Sequence, residues 1–344
     1  MRKLNIIHYD LQKIDLYPNI KYNSKMASLY QFEKYVCTKE TLRETLNTYG
    51  VAIIPNVLEE CDSMISGFWD FFEHITQKWK IPLNRNDTKT WREFYNLCPI
   101  HSMLVQHFGV GHAQALWDLR QNPKIVEIFA HFWECSPEEL LVSFDALSMH
   151  LPPEDTGKGF NKGNTWYHTD QSYFTPDFKC VQSFITGLDI DDGDATLSIM
   201  EGSHKFHENF RQRFDIKDKK DWFKLSKEQQ EFYQCPIAHI KCPKGSLVLW
   251  DSRTIHCGIE STKGRPYPKI RYVGYLCYMP RKLATKANIR KKQKAFEDLR
   301  TMSHNPCSGR LFGKNPQTYG KIIESITSID KPVLTELGMK LAGF

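Results

Sequence analysis

The chain has 344 residues, 41% hydrophobic and 13% aromatic, enough to bury one large core or two smaller ones. Its 46 basic and 40 acidic residues leave a formal charge of +6. That excess does not call for nucleic acid as a partner and permits an anionic or acyl small molecule. No apolar run approaches the roughly 20 residues of a membrane span, and the first eight residues lack the apolar core of a signal peptide. An intracellular, cytoplasmic protein without a membrane partner is expected. The ten cysteines include no Cys-x-x-Cys pair, so reduced thiols are expected. Cys235, His239 and Cys242 are close in sequence, but a fourth zinc ligand is not at hand.

In chain order, residues 1–30 read as an extended polar arm. Thr38 is placed to cap a helix through Glu40, Leu42 and Leu46 that Gly50 ends. Residues 51–55 form a short buried strand. A helix over 58–79 is predicted from Phe68, Phe71, Phe72 and Ile75 at helical spacing. Another helical stretch or two lies within 112–137, so 31–139 is mostly helical.

The texture then changes. Residues 140–150 read as one strand, 152–163 as a Pro/Gly-rich loop, 181–190 and 196–200 as strands, and Asp191-Asp192-Gly193-Asp194 as a turn. Residues 205–234 are charged and aromatic, an insertion with helix. Pro243-Lys244-Gly245 turns into a strand ending at Trp250, and 270–279 is another strand. After Pro280 the chain reads as helical and basic, with a run at 289–300 that is either a solvated helix face or a clamp for an anionic substrate. The fold class expected is α+β with a mainly β core. One catalytic domain spans 1–344, with the β core at 140–280 and a C-terminal helical part at 281–344.

The chemistry rests on His168, Asp170 and His256. With 13 His and 20 Asp in the chain, roughly one His-x-Asp arises by chance, and His8-Tyr9-Asp10 is such a decoy. His168 and Asp170 differ in context. They stand at i and i+2 in a strand-like stretch and share a face, and the opposite sheet can supply His256, which follows the strand ending at Trp250. Two imidazoles and one carboxylate on one face of a metal suit Fe(II) and leave three positions open. Those positions accommodate a bidentate 2-oxo acid and O₂. A 2-oxo diacid also needs a cation for its far carboxylate, and the planar fork of arginine fits. Arg271 is favoured over Arg265, which sits in a turn. Ser148, Met149 and Trp166 are further contact candidates, while Tyr167 and Trp250 read as core and His204 as a turn residue.

His168-Thr169-Asp170, Gly202-Ser203-His204-Lys205, the 245–256 stretch and the Arg271 strand together resemble the phytanoyl-CoA dioxygenase (PhyH-like) family of Fe(II)/2-oxoglutarate-dependent oxygenases. The resemblance implies a double-stranded β-helix, or jelly roll, flanked by helices. It implies iron held by His168, Asp170 and His256, and 2-oxoglutarate paired with Arg271. Related halogenases carry a small residue in place of the aspartate, so Asp170 implies hydroxylation with succinate and CO₂ as co-products. The alternatives are a cupin-like metal hydrolase or isomerase with the same ligands, and a catalytically idle binding module.

Overall fold

A computed structural model describes residues 32–98, 103–316 and 322–344. The predicted arm and the His8-Tyr9-Asp10 decoy lie outside the described residues. The first part of the chain contains α1 (Leu42–Tyr49), β1 (Val51–Ile54), α2 (Asp62–Thr76), β2 (Leu104–Val105), α3 (Gln114–Arg120) and α4 (Pro123–Trp133). Next come β3 (Leu140–Val142), β4 (Leu147–His150), α5 (Pro153–Thr156), β5 (His168–Thr169), β6 (Val181–Thr186) and β7 (Thr196–Met200). The insertion supplies α6 (His207–Arg213), β8 (Phe223–Lys224) and α7 (Lys227–Tyr233). Strands β9 (Ile237–His239), β10 (Leu247–Asp251), β11 (His256–Ile259), β12 (Arg271–Leu276) and β13 (Tyr278–Pro280) follow, then α8 (Lys286–Glu297) and α9 (Glu336–Ala342).

Eleven of these thirteen strands form the two sheets of a jelly roll, and β3 and β13 pair apart from them. One sheet has six strands in the order β1-β10-β6-β12-β4-β2, the other five in the order β8-β5-β11-β7-β9. The strand pairings within them are antiparallel. Helices α2 and α3 cover the outer face of the larger sheet. A Cβ on Gly274 of β12 would stand 2.8 Å from Leu119 and 3.5 Å from Phe68, so the helices seat where that strand has no side chain. Phe68, Phe72 and Ile75 of α2 are fully buried, each worth roughly 1.5–3 kcal/mol.

Several elements differ from the sequence pattern. Thr41, not Thr38, precedes α1, and its hydroxyl accepts the Thr38 N–H at 3.1 Å. Helix α2 begins at Asp62 because Leu58 N–H is taken by Gly245 O at 3.0 Å. The expected strand at 140–150 breaks between β3 and β4, and the one at 270–279 breaks at Cys277, where Ser143 N–H donates to Cys277 O at 2.8 Å. The C-terminal part is less helical than expected. Between α8 and α9, the chain pairs Met302 with Leu311 across a stretch containing Asn305-Pro306 and Gly309, residues that favour turns. The basic run is partly internal, since Lys292 of α8 is buried.

Two buried histidines make the fold acid-sensitive. His112 donates from Nε2 to Arg300 O at 3.0 Å and His207 to Ser172 O at 3.0 Å. Burial pushes them down to about 3 and about 4 respectively. Both values lie below the roughly 6.5 of an unfolded histidine, so acid favours the unfolded chain from about pH 6.5 downward. At pH 5 each histidine is expected to have cost about 2 kcal/mol. Urea midpoints at pH 7 and pH 5 check this: His112→Gln and His207→Gln should each flatten the dependence, and an unchanged slope refutes it.

Candidate metal centre

His168 opens β5 and His256 opens β11, and the two are direct cross-strand partners. The second imidazole therefore comes from the neighbouring strand of the same sheet, not from the opposite sheet as the sequence pattern led us to expect. Their ring centroids are 4.3 Å apart. Asp170 Oδ2 lies 3.6 Å from His168 Nε2 and 3.4 Å from His256 Nε2. Among the described residues, this is the set of three or more His, Cys, Asp or Glu side chains that converges as metal ligands do, with all ligand atoms within 4.8 Å. Cys235, His239 and Cys242 form no such set, and all ten cysteines are free thiols.

The hydrogen bonds fix the chemistry of the three groups. His168 Nδ1 faces Trp166 O at 3.2 Å, and His256 Nδ1 faces Thr254 O at 2.9 Å. A carbonyl can only accept, so each Nδ1 carries the proton and each Nε2 presents a lone pair. Those lone pairs point toward a carboxylate that also only accepts, apart from one donor, Gln182 Nε2 at 3.1 Å. Burial and the adjacent His256 lower the pKa of His168. Ligands about 2.1 Å from a metal and at right angles lie roughly 3 Å apart, and the two His–Asp separations of 3.6 and 3.4 Å are close to that spacing.

The loop from Asp251 to Ile255 sets these positions. Asp251 accepts from Arg253 N, Nε and Nη2 at 2.8, 3.0 and 2.7 Å. Ser252 O accepts Asp170 N–H and the Thr169 hydroxyl, both at 3.1 Å. Ser252 Oγ donates to Gln171 Oε1 at 2.7 Å. Ser203 of the Gly202-Ser203-His204 motif accepts Ile255 N–H at 2.8 Å, which gives that motif a structural task. Gly50 O takes Asp251 N–H at 3.1 Å and Thr254 Oγ1 at 2.8 Å.

Arg271, at the start of β12, is buried, and its Nη1 donates to Ser148 Oγ. Its guanidinium lies 5.6 Å from the Phe184 ring centre, its Nε lacks a partner, and it pairs with no carboxylate among the described residues. Arg265 is different: it is locked to Glu154 at 2.6 Å and Asp194 at 2.8 Å. Of the other contact candidates, Met149 is core and Trp166 stacks on His168 at 4.7 Å.

A family model described as phytanoyl-CoA dioxygenase (PhyH) matches residues 46–266. The chain belongs to the phytanoyl-CoA dioxygenase family. Ava biosynthesis cluster protein O of Aspergillus versicolor is 29% identical over 212 residues, covering 58% of this chain and 65% of that protein. The match therefore spans just under two thirds of that relative's length. A putative oxidoreductase from Salmonella typhimurium LT2 superposes with a TM-score of 0.55 at 12% identity, over 93% of this chain and 88% of that one. GIG2 from Candida albicans gives 0.54 at 14% identity, over 80% and 72%. At such identities these two likenesses bear on the fold alone.

In this PhyH-family chain, three site features escaped the sequence reading. Gln182 is one, although strand alternation through β6 puts it on the inward face with Phe184. Trp250, read as core, is buried but also lies 5.4 Å from the His256 ring, with its indole nitrogen unpartnered. Trp222 is half exposed and 5.8 Å from the His168 ring, an aromatic wall that the insertion delivers without a local signal.

Gly50 tests the loop. It has φ of 76°, and a Cβ there would stand 2.5 Å from Thr254 Oγ1 and 2.6 Å from His204 Nδ1. Gly50→Ala is expected to destabilise the fold by about 2–4 kcal/mol and to weaken divalent-metal binding in the fraction that folds. Metal titration beside urea denaturation checks both effects, and wild-type values for both would remove the loop from this role.

Proposed function

We propose that this chain is an Fe(II)/2-oxoglutarate-dependent dioxygenase that hydroxylates a small organic substrate. One observation carries the reading. Two imidazoles, each with Nδ1 tied to a carbonyl, turn their Nε2 lone pairs on a single, largely shielded carboxylate. Lone pairs facing an anion are stable when a cation sits between them. The donor set of two neutral nitrogens and one carboxylate oxygen suits Fe(II) and leaves room for further ligands.

In this reading His168, Asp170 and His256 hold the iron. Gln182 orients Asp170, and Trp166 fixes the plane of the His168 ring. Arg271 and Ser148 hold the far carboxylate of 2-oxoglutarate, since a buried guanidinium without a carboxylate of its own calls for an anion. Arg265 already has two carboxylates and serves the fold. When bound, iron with 2-oxoglutarate and O₂ supplies conversion of C–H to C–OH, with succinate and CO₂ as co-products. The buried walls of the jelly roll exclude bulk water, and Trp222 lines the approach. The full chain acts as one catalytic domain in an intracellular, cytoplasmic setting. A hydrolase or isomerase using the same ligands has no need of the Arg271 anion site.

Anaerobic addition of Fe(II) and then 2-oxoglutarate should give a visible charge-transfer band, and air with substrate should release succinate. Asp170→Ala should lose the band. Arg271→Ala should keep Fe(II) affinity and raise the 2-oxoglutarate requirement by about 10- to 100-fold, as expected for loss of a charge-assisted pair. Arg265→Ala should instead lower stability by roughly 3–5 kcal/mol. A native protein without the band, or an Arg271→Ala variant with an unchanged 2-oxoglutarate requirement, would count against the assignment.

A further inference from the structure

Strand β8 is two residues long, yet its register decides where the insertion puts its side chains. It pairs Lys224 with His168 and Phe223 with Thr169. Cross-strand partners share a face of a sheet, and alternation sends successive residues to opposite faces. Phe223 therefore turns away from His168, and its ring lies 5.4 Å from Tyr173 and 6.2 Å from Phe210 in the aromatic cluster of the insertion. Lys224 and Trp222 fall on the face that carries His168. Trp222 is the diagonal neighbour of His168 there, a separation that aromatic side chains can bridge, and the two ring centres are 5.8 Å apart.

The segment is held on both sides of Trp222. Asp221 Oδ1 accepts Ser172 N–H at 3.3 Å and lies 3.6 Å from Lys179 Nζ. Leu225 is buried, and its N–H donates to Tyr167 O at 2.9 Å. Between these anchors the Trp222 side chain is nevertheless 51% exposed. A tryptophan carries roughly 150–250 Å² of surface, and burying it is among the larger single gains a core can make. The aromatic cluster that takes Phe223 does not take Trp222. What Trp222 meets instead is the His168 ring, and about half of its surface stays open beside the candidate metal centre.

We infer that Trp222 is a stacking platform for an aromatic ring of the substrate, and that this ring is neutral or acidic, not cationic. That such a molecule is then oxidised rests on the oxygenase reading. An indole face attracts both flat rings and cations. Lys224 decides between them. It shares the face, is exposed, and pairs with no carboxylate among the described residues. A cationic group on Trp222 would be repelled by that ammonium, whereas an acid would be drawn to it. Arg271 lies on β12, in the other sheet, and is left to the co-substrate.

The probes are benzoate, cyclohexanecarboxylate and benzylamine, which vary the ring and the charge separately. Calorimetry measures their binding to protein loaded anaerobically with Fe(II) and excess 2-oxoglutarate, and the visible band is recorded on the same samples. Native protein should bind benzoate about three- to tenfold more tightly than cyclohexanecarboxylate, the scale of one aromatic pair, and more tightly than benzylamine. Trp222→Ala should erase the aromatic preference and Trp222→Phe should keep most of it, with the urea midpoint and the band at native values in both. Lys224→Met should bring benzylamine level with benzoate. Equal binding of benzoate and cyclohexanecarboxylate, a preference that survives Trp222→Ala, or native protein that binds benzylamine as tightly as benzoate overturns the inference, while an intact band leaves the oxygenase reading standing. A Trp222-dependent aromatic preference in samples without the band overturns the oxygenase reading and leaves the platform.

Discussion

Two backbone carbonyls determine what this site can be. Trp166 O and Thr254 O each take the Nδ1 proton of a histidine, and that choice of tautomer aims both Nε2 lone pairs at Asp170. Without those carbonyls, either ring could protonate Nε2 and donate to the carboxylate, giving a closed hydrogen-bonded triad with no use for a metal. With them, three acceptors face one point, and the arrangement is poised for a cation. Everything else near the site keeps those carbonyls in place. Trp166 stacks on His168 and donates from its indole to Gly258 O at 3.0 Å, and Thr254 is bound to Gly50.

The Asp251–Ile255 loop is where the demands of fold and site meet. One short stretch supplies the carbonyl that orients His256 and the carbonyl that fixes Asp170. Its own groups are committed to Gly50, Ser203, Gln171 and an internal Asp251–Arg253 pair. Residues tied into one network do not contribute independently. Changes at Gly50, Ser203 or Thr254 should therefore affect the same quantity, the position of His256, even though none of them can touch a metal.

Much of this was legible in the sequence. The alternation through 181–190 and the runs at 196–200 and 246–250 marked core strands, Gly50 a helix end and Gly245 a turn. His168, Asp170 and His256 stood out because a short motif recurred in the right order around a strong strand. What the sequence withheld was long-range pairing. The direct register of His168 with His256 depends on β5 and β11, which are too short to show a period. At the break over 143–146, Phe144 O accepts from Met302 N–H and Asp145 O from Arg120, both distant in the chain, so local propensity could not reveal it. The same holds for the 299–312 segment, whose turn residues were visible but whose anchors, Gly111 and Phe144, lie far upstream.

The two arginines raised by the sequence show how burial separates roles that composition cannot. Both Arg265 and Arg271 are largely buried, so exposure does not distinguish them. The difference is in what surrounds each charge. Arg265 has Glu154 and Asp194 within 2.8 Å, so a further anion would have to displace a carboxylate already desolvated with it. Arg271 has a hydroxyl and an aromatic face, which position the guanidinium without neutralising it. A buried cation left in that state destabilises the ligand-free protein, and binding a dicarboxylate removes the penalty. Under the proposed function, part of the stability of the fold is thereby conditional on co-substrate, through a residue that also pairs β12 with β4.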